Sequence, residues 1–390
     1  MRNILFVNNI FPLFAHADSG ASVRSMNLLN VLTKQGQVDV ISFLDNEKSN
    51  IDNCNVIYSK FVGGVPLLST KREKIQLVLR QYNTSDVWPV NKRKQTIIKR
   101  AISKTNYDVI VTRYIDKACE CGLLEYADRL IVDVDDDPKS VVRLHQPVSS
   151  FLSKIFWHHF YANAVESVTL EVLRRVKGAF NSQPEKHYPN TTYLPNISKF
   201  SASLPNVDFS VTPENILFIG KMNHKPNIQA LDHFLKCIFP ILQKSHPNAI
   251  VRVVGKIVDS RLLQLCHSIP NVVLCGFVDD IITEYDVCRC VVVPLLSGTG
   301  TSVKLVEAMS LNRAVVTTTI GKRGLHEAFA EGNDYLLADK DEDFACAISR
   351  LLDDEHLNHK VANSACQKVK RYYSEEMFNQ IVKNVIFNAQ

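Results

Sequence analysis

The chain has 390 residues, 46% of them hydrophobic and 22% charged, with a formal net charge of +5. That much apolar material excludes disorder by composition, and so small a positive surplus gives no case for nucleic acid as a partner. The cysteines, among them the C-x-C pairs Cys119–Cys121 and Cys288–Cys290, have no histidine at zinc spacing, so reduced thiols are expected rather than a disulfide or metal framework.

At roughly 150 residues per domain, the length suggests two or three domains. Short β-type runs fall at Ile4–Asn8, Val38–Phe43, Val56–Tyr58, Val109–Thr112, Leu130–Val134, Gly178–Asn181 and Thr192–Leu194. Helical patterns lie between them, at Val23–Leu32 and over the long stretch Val141–Val176. The segment Leu194–Asn215 is polar, rich in Ser and Pro, and without periodicity, so it reads as a linker. Beyond it, strands are expected at Asn215–Ile219, Ile250–Val254, Val272–Cys275, Cys290–Leu295, Val315–Thr318 and Tyr335–Ala338. Helices fit Ile228–Leu235, Arg261–His267, Asp280–Val287, Val303–Ser310, Glu342–Leu352 and Glu375–Ala389. The alternation predicts an α/β protein with two doubly wound parallel sheets, each covered by helices on both faces. No apolar run approaches the ~20 residues of a membrane span, and Asn8–Asn9 interrupt the opening apolar run, which reads as a strand. A soluble or peripheral cytoplasmic protein is the expectation.

In such sheets ligands bind at the carboxyl ends of strands, so the strand-end loops are the candidates for chemistry. "FIGKMNHKPN" leaves a strand through Gly220 and offers Lys221 and Lys225 before a helix. Two ammonium groups there suit a phosphate, although plain solvated lysines fit as well. "SGTGTSVKLVEAM" follows a strand with Gly298 and Gly300, the hydroxyls of Thr299, Thr301 and Ser302, and then a helix. It matches neither a Walker loop nor the dinucleotide fingerprint. Flexible N–H groups at a helix N-terminus still suit a diphosphate. Glu307, in the second turn of that helix, suits a ribose diol, the plain alternative being an exposed glutamate. The turn Cys275–Ile281, with Val278, could read a base edge through its backbone.

The run "ILFIGKMNHKPNIQAL", then "NVVLCGFVDDI" and above all "GTGTSVKLVEAMSLNRAVVTT", resembles the retaining GT-B glycosyltransferases of family 4, also called glycosyl transferases group 1. The resemblance covers about Glu214–Gly324 strongly and the rest through fold pattern only. It implies a GT-B fold: two Rossmann-like domains facing across a cleft, over residues 1–200 and 210–373, with the closing helix 374–390 packing back on the first. It implies a nucleoside diphosphate sugar as donor, a co-substrate rather than a cofactor, with Lys225 and Lys221 on the diphosphate, the turn Gly298–Ser302 receiving phosphate, and Glu307 holding the ribose.

The departures fall on the sugar side. Relatives often carry a glutamate where Thr299 stands, and a histidine near the sugar where "LIVDVDDDPKS" supplies Asp135. Asp135 and Thr299 are therefore the catalytic candidates, Asp135 either as acceptor for a sugar hydroxyl or as one charge in a solvated acidic turn. A metal at the acidic turn Asp133–Asp137 is not expected, because lysines and a helix N-terminus already supply positive charge. Gly20 stands for the glycine turn facing the donor, and Arg24 and Arg113 are acceptor-side candidates. A glycan or lipid-linked glycan is the implied acceptor, in cell-surface polysaccharide or glycan synthesis. The basic, partly amphipathic stretch Lys71–Lys104 is either a contact for anionic membrane or a solvated basic face. A nucleotide-sugar 2-epimerase-like isomerase and a non-catalytic nucleotide-sugar binder are the competing functions.

Overall fold

The computed structural model describes residues 2–388 apart from 10–11, 15–19, 46, 65–69, 80–81, 146–149, 199 and 201. The chain divides into two compact units. Unit 1 is Met1–Asn196 with Phe378–Gln390, and unit 2 is Ile197–Met377.

Unit 1 is built on β1 (Arg2–Asn8), β2 (Gly36–Ser42), β3 (Cys54–Ser59), β4 (Val109–Arg113), β5 (Leu130–Asp135), β6 (Gly178–Asn181) and β7 (Thr191–Tyr193). They lie in the order β3-β2-β1-β4-β5-β6-β7, every neighbour parallel. Unit 2 holds β8 (Asn215–Ile219), β9 (Ile250–Val254), β10 (Val272–Gly276), β11 (Cys290–Val293), β12 (Ala314–Thr317) and β13 (Leu336–Leu337), in the order β10-β9-β8-β11-β12-β13 and again parallel. Each predicted strand overlaps an observed one. Strands of a parallel sheet are buried on both faces, so they announce themselves as continuous apolar runs. The run "NILFIG" shows why: Ile216 and Phe218 enter one core, while Leu217 and Ile219 enter the core on the opposite face.

The strand order reverses between β1 and β4 in unit 1 and between β8 and β11 in unit 2. At such a switch the crossover helices leave toward opposite sides and open a crevice at the carboxyl ends. The loops after β8 and β11 therefore share one crevice mouth in unit 2.

The long helix expected over Val141–Val176 is broken. Helices run over Pro138–His145 and, after Ser150 caps the next start, over Phe151–Ile155; wider turns at Phe156–Tyr161 carry the chain into Ala162–Arg175. Pro147 lies in the interval and is incompatible with an uninterrupted helix interior. The last helix, Glu375–Asn388, crosses back into unit 1. Its Phe378, Val382 and Ile386 are buried, Lys177 Nζ donates to the Ile386 carbonyl at 3.2 Å, and Arg2 lies over the Phe387 ring.

Candidate functional site

In unit 2 the crevice is shaped by glycines at the strand ends. Gly255, just past β9, has φ +129°, and a Cβ there would sit 2.1 Å from the Gly220 carbonyl oxygen. A Cβ on Gly220 would meet Asn227 Nδ2 at 2.8 Å and Lys304 Nζ at 3.0 Å. The crowding has a purpose. Asn227 donates to the Lys221 carbonyl at 2.9 Å and accepts from Lys304 Nζ at 2.7 Å. One amide side chain thus ties the loop after β8 to the helix Val303–Ser310 that follows β11. Lys221 and Lys225 stay exposed, and among the described residues neither forms an ion pair. Lys225 opens the helix Lys225–His233, with Pro226 in the first turn.

The second loop is held in glycine-only geometry, with Gly298 at φ +137° and Gly300 at φ +71°. Arg323, from the segment after β12, donates through Nη2 to the Gly298 carbonyl. Ser302 is the N-cap residue of the helix, but its side chain makes no capping bond; its Oγ is buried without a hydrogen-bond partner. A buried hydroxyl left unpaired at a helix N-terminus is costly unless something else takes it up. Thr301 packs under Gly324, and Thr299 is half-buried. Glu307 lies half-buried one turn beyond Lys304. Burial pushes the Lys304 ammonium down to about 8, and the Glu307 charge opposes that shift. In the third turn Gly276 has φ +67°, Phe277 is exposed, and Val278 packs, partly buried, against the core. Asn227 and Arg323 escaped the sequence reading. Each is one polar residue in a loop or first turn, and only the fold reveals what it reaches.

In unit 1 the ends of β4 and β5 carry a buried charge network. Arg24 grips Asp133 with two bonds, 2.8 Å from Nε and 2.7 Å from Nη2, and also donates from Nη1 to the Leu194 carbonyl and Asn196 Oδ1, both at 2.9 Å. Arg113 donates from Nε to Asp133 at 2.8 Å, from Nη1 to Ser25 Oγ at 2.9 Å, and from Nη2 to Asp135. Burial alone would raise the Asp133 carboxyl, but the two guanidinium groups hold it below the ordinary carboxylate range. Asp135 (φ +53°) and Tyr114 (φ +65°) both sit in left-handed backbone, a conformation that costs a non-glycine residue of order 1–3 kcal/mol. The Tyr114 hydroxyl donates to Asp135 Oδ2 at 3.3 Å. The solvated acidic turn is overturned: Asp133, Asp135 and Asp137 are all buried, and Asp137 takes the Tyr188 hydroxyl at 2.6 Å. Arg24 itself is fully buried, its donors spent on fixing β5 to the segment that leaves unit 1. Gly20, the residue of the expected glycine turn, opens the helix Gly20–Thr33, and residues 15–19 before it lie outside the described residues.

His233, Cys237 and Asp341 place three donor atoms within 4.8 Å of one another, with His233 Nε2 2.7 Å from Asp341 Oδ1. Among the described residues no helix is long and apolar enough to cross a membrane.

Residues 213–354 match the family model for glycosyl transferases group 1. Over the full length, the structure superposes on sucrose-phosphate synthase from Thermosynechococcus elongatus with a TM-score of 0.72 at 16% identity, covering 100% of both chains. The chain has the GT-B glycosyltransferase fold. The Anabaena protein HepE, solved in complex with UDP-glucose, gives a TM-score of 0.65 at 13% identity, again over 100% of both chains. WaaG, a glycosyltransferase involved in lipopolysaccharide biosynthesis, gives 0.62 at 14% identity, over 98% of this chain and 100% of WaaG. By sequence, this GT-B chain is 24% identical over 177 residues to an uncharacterized 44.6 kDa protein in the cps region of Klebsiella pneumoniae. That match spans 43% of this chain and 45% of the relative, less than half of each.

Proposed function

We propose that the protein is a retaining glycosyltransferase that moves a sugar from a nucleoside diphosphate sugar to an acceptor hydroxyl in cell-surface polysaccharide or glycan biosynthesis. The observation that carries this is the crevice mouth of unit 2. There two free lysines, a glycine turn in left-handed geometry, and an unpartnered Ser302 hydroxyl at a helix N-terminus gather at one strand-order switch. The solved complex of HepE with UDP-glucose, on the same fold, supports the donor class.

In this mechanism Lys221 and Lys225 neutralise the diphosphate, the N–H groups of Gly298–Ser302 and the Ser302 hydroxyl receive its oxygens, and Glu307 accepts from the ribose diol. Val278 and its neighbours border the base. Asp135, oriented by Arg113 and Tyr114, accepts from a sugar hydroxyl, with Arg24 and Arg113 as positioning residues behind it. Thr299 takes the place of a charged group near the donor sugar. The bond from the anomeric carbon to the leaving phosphate oxygen breaks as the acceptor oxygen bonds to that carbon on the same face. The acceptor proton passes to the leaving phosphate. Because the cationic groups are the protein's own, chelation should leave the rate unchanged. The acceptor is a glycan or lipid-linked glycan, and an acceptor on lipid would bring unit 1 to the inner face of the cytoplasmic membrane.

Thermal-shift measurement against UDP, GDP, ADP, CMP and dTDP sugars tests the reading, since binding raises the melting temperature by mass action. One donor class should stabilise the protein, and Lys225→Ala and Glu307→Ala should each abolish the shift. An unchanged shift in both variants means that the site is misplaced. Incubation with the donor alone separates the alternatives: slow hydrolysis marks a transferase, an epimerised sugar marks an isomerase, and tight binding without turnover on any acceptor marks a binder.

A further inference from the structure

Two helices of unit 1 push large apolar side chains into solvent. On Lys71–Leu79, Ile75 is 58% and Leu79 79% exposed; on Phe151–Ile155, Phe151 is 77% and Leu152 76% exposed. The first helix lies against the continuation of the second, with Lys74 Nζ 5.2 Å from the centroid of Trp157 and 5.8 Å from that of Phe156. Each is fastened from beneath, by buried Leu77 in the first and by Trp157 in the continuation of the second. Exposed apolar residues scattered singly need no explanation, but four at this degree of exposure, on one helix and on the helix leading into the segment it packs against, do.

The patch is also basic. Lys71, Arg72, Lys74 and Lys154 stand against Glu73, a surplus of 4 − 1 = 3 positive charges over Lys71–Leu79 and Phe151–Tyr161. The other half of the basic stretch is built differently. Helix Lys92–Lys104 buries Ile98, packs Ile97 and Ile102 against the core, and spends Lys94 on the buried Glu120 carboxylate at 2.6 Å. It has charge to offer but no outward apolar face. A surface that joins protruding Phe and Leu side chains to lysines and an arginine matches the headgroup and upper acyl region of an anionic bilayer, where apolar tips insert and cations meet phosphate. A second copy of the chain fits worse, because a two-fold contact would set this positive patch against itself.

We infer that Lys71–Leu79 and Phe151–Ile155 together form an interfacial anchor that docks unit 1 on an anionic phospholipid surface. This does not depend on the sugar-transfer reading. The experiment is flotation of the full chain with vesicles of phosphatidylcholine alone and of phosphatidylcholine with about one third phosphatidylglycerol, at low and high salt. Binding is expected only to the anionic vesicles and to weaken with salt. Phe151→Ser/Leu152→Ser should lower the bound fraction by roughly tenfold or more, since two large apolar side chains are withdrawn from the bilayer. Lys71→Glu/Arg72→Glu should remove the salt-sensitive part. A Phe151→Trp variant should gain blue-shifted emission on anionic vesicles. All four positions are exposed, so melting temperature and any nucleotide-sugar shift should match the parent chain. Three results overturn the inference: no flotation of the parent chain on anionic vesicles at low salt, equal flotation of Phe151→Ser/Leu152→Ser, or a dimer by light scattering that this variant dissociates.

Discussion

Lys304 carries the most informative single charge in unit 2. Its ammonium ties the helix Val303–Ser310 to the loop after β8 through Asn227 and is pushed down to about 8 by burial, while the unfolded chain keeps an ordinary lysine value of 10.5. Between those values the unfolded state binds more protons, so the Lys304 contribution to stability grows as pH rises through that window and is lost as pH falls back through about 8. Lys304→Met should abolish this dependence. The melting temperature of the parent chain should gain on the variant between about pH 7 and about pH 10, and a constant difference across that range counts against the assignment. Asp133 offers a second test. Asp133→Asn leaves two buried guanidinium groups, Arg24 and Arg113, with only the Asp135 carboxylate between them, and a buried charge left uncompensated in this way costs about 3–5 kcal/mol. Urea unfolding that shows a loss under about 1 kcal/mol means that the network relaxes without cost. The acidic run Asp133–Asp137 was plain in the sequence; its partners were not, because Arg24 lies 109 residues from Asp133.

At the scale of elements, the strands were legible because burial on both faces leaves mostly apolar side chains in them, with the charged Arg113, Asp133 and Asp135 at the ends of β4 and β5 among the exceptions. Loop contacts were not legible, because a polar residue in a loop has the same sequence signature whether it is solvated or tied to a neighbouring strand. Arg323, in a loop, is of this kind, and so is Asn227 in the first turn of a helix. The glycines stand between, since Gly298 and Gly300 could be read as a close approach, whereas Gly255 acquires meaning only beside Gly220. Gly255→Ala combines a positive φ with a Cβ only 2.1 Å from a backbone oxygen, an atom that cannot swing away. It should destabilise unit 2 by about 2–4 kcal/mol, through backbone strain and displacement of the strand end. A melting temperature within error of the parent chain sinks that expectation.

For the whole molecule, the return of the chain at Phe378 makes unit 1 discontinuous. Deleting 378–390 strips buried Phe378, Val382 and Ile386 from its core, at ~1.5–3 kcal/mol for each side chain. Calorimetry of the truncated chain should show the unit 1 transition lowered and the unit 2 transition in place. In the full chain, a bound nucleotide sugar should raise the unit 2 transition most. If truncation lowers both transitions equally, the two units unfold as one.

The sequence by itself determined the class of the molecule. Apolar runs alternating with amphipathic helices specify two parallel sheets, and the order of the motifs from Ile216 to Thr318 specifies the kind of fold. These signals are local, set by burial periodicity and turn chemistry, and so survive in a string of letters. The tertiary structure alone decided which charges do something. It buried the Asp133 network, tied Lys304 to Asn227, left Ser302 without a partner, and turned the apolar face of Lys92–Lys104 inward while leaving Ile75 and Phe151 in solvent. Each depends on segments distant in sequence arriving at one place, and the cost or value of a charge is set by what surrounds it there.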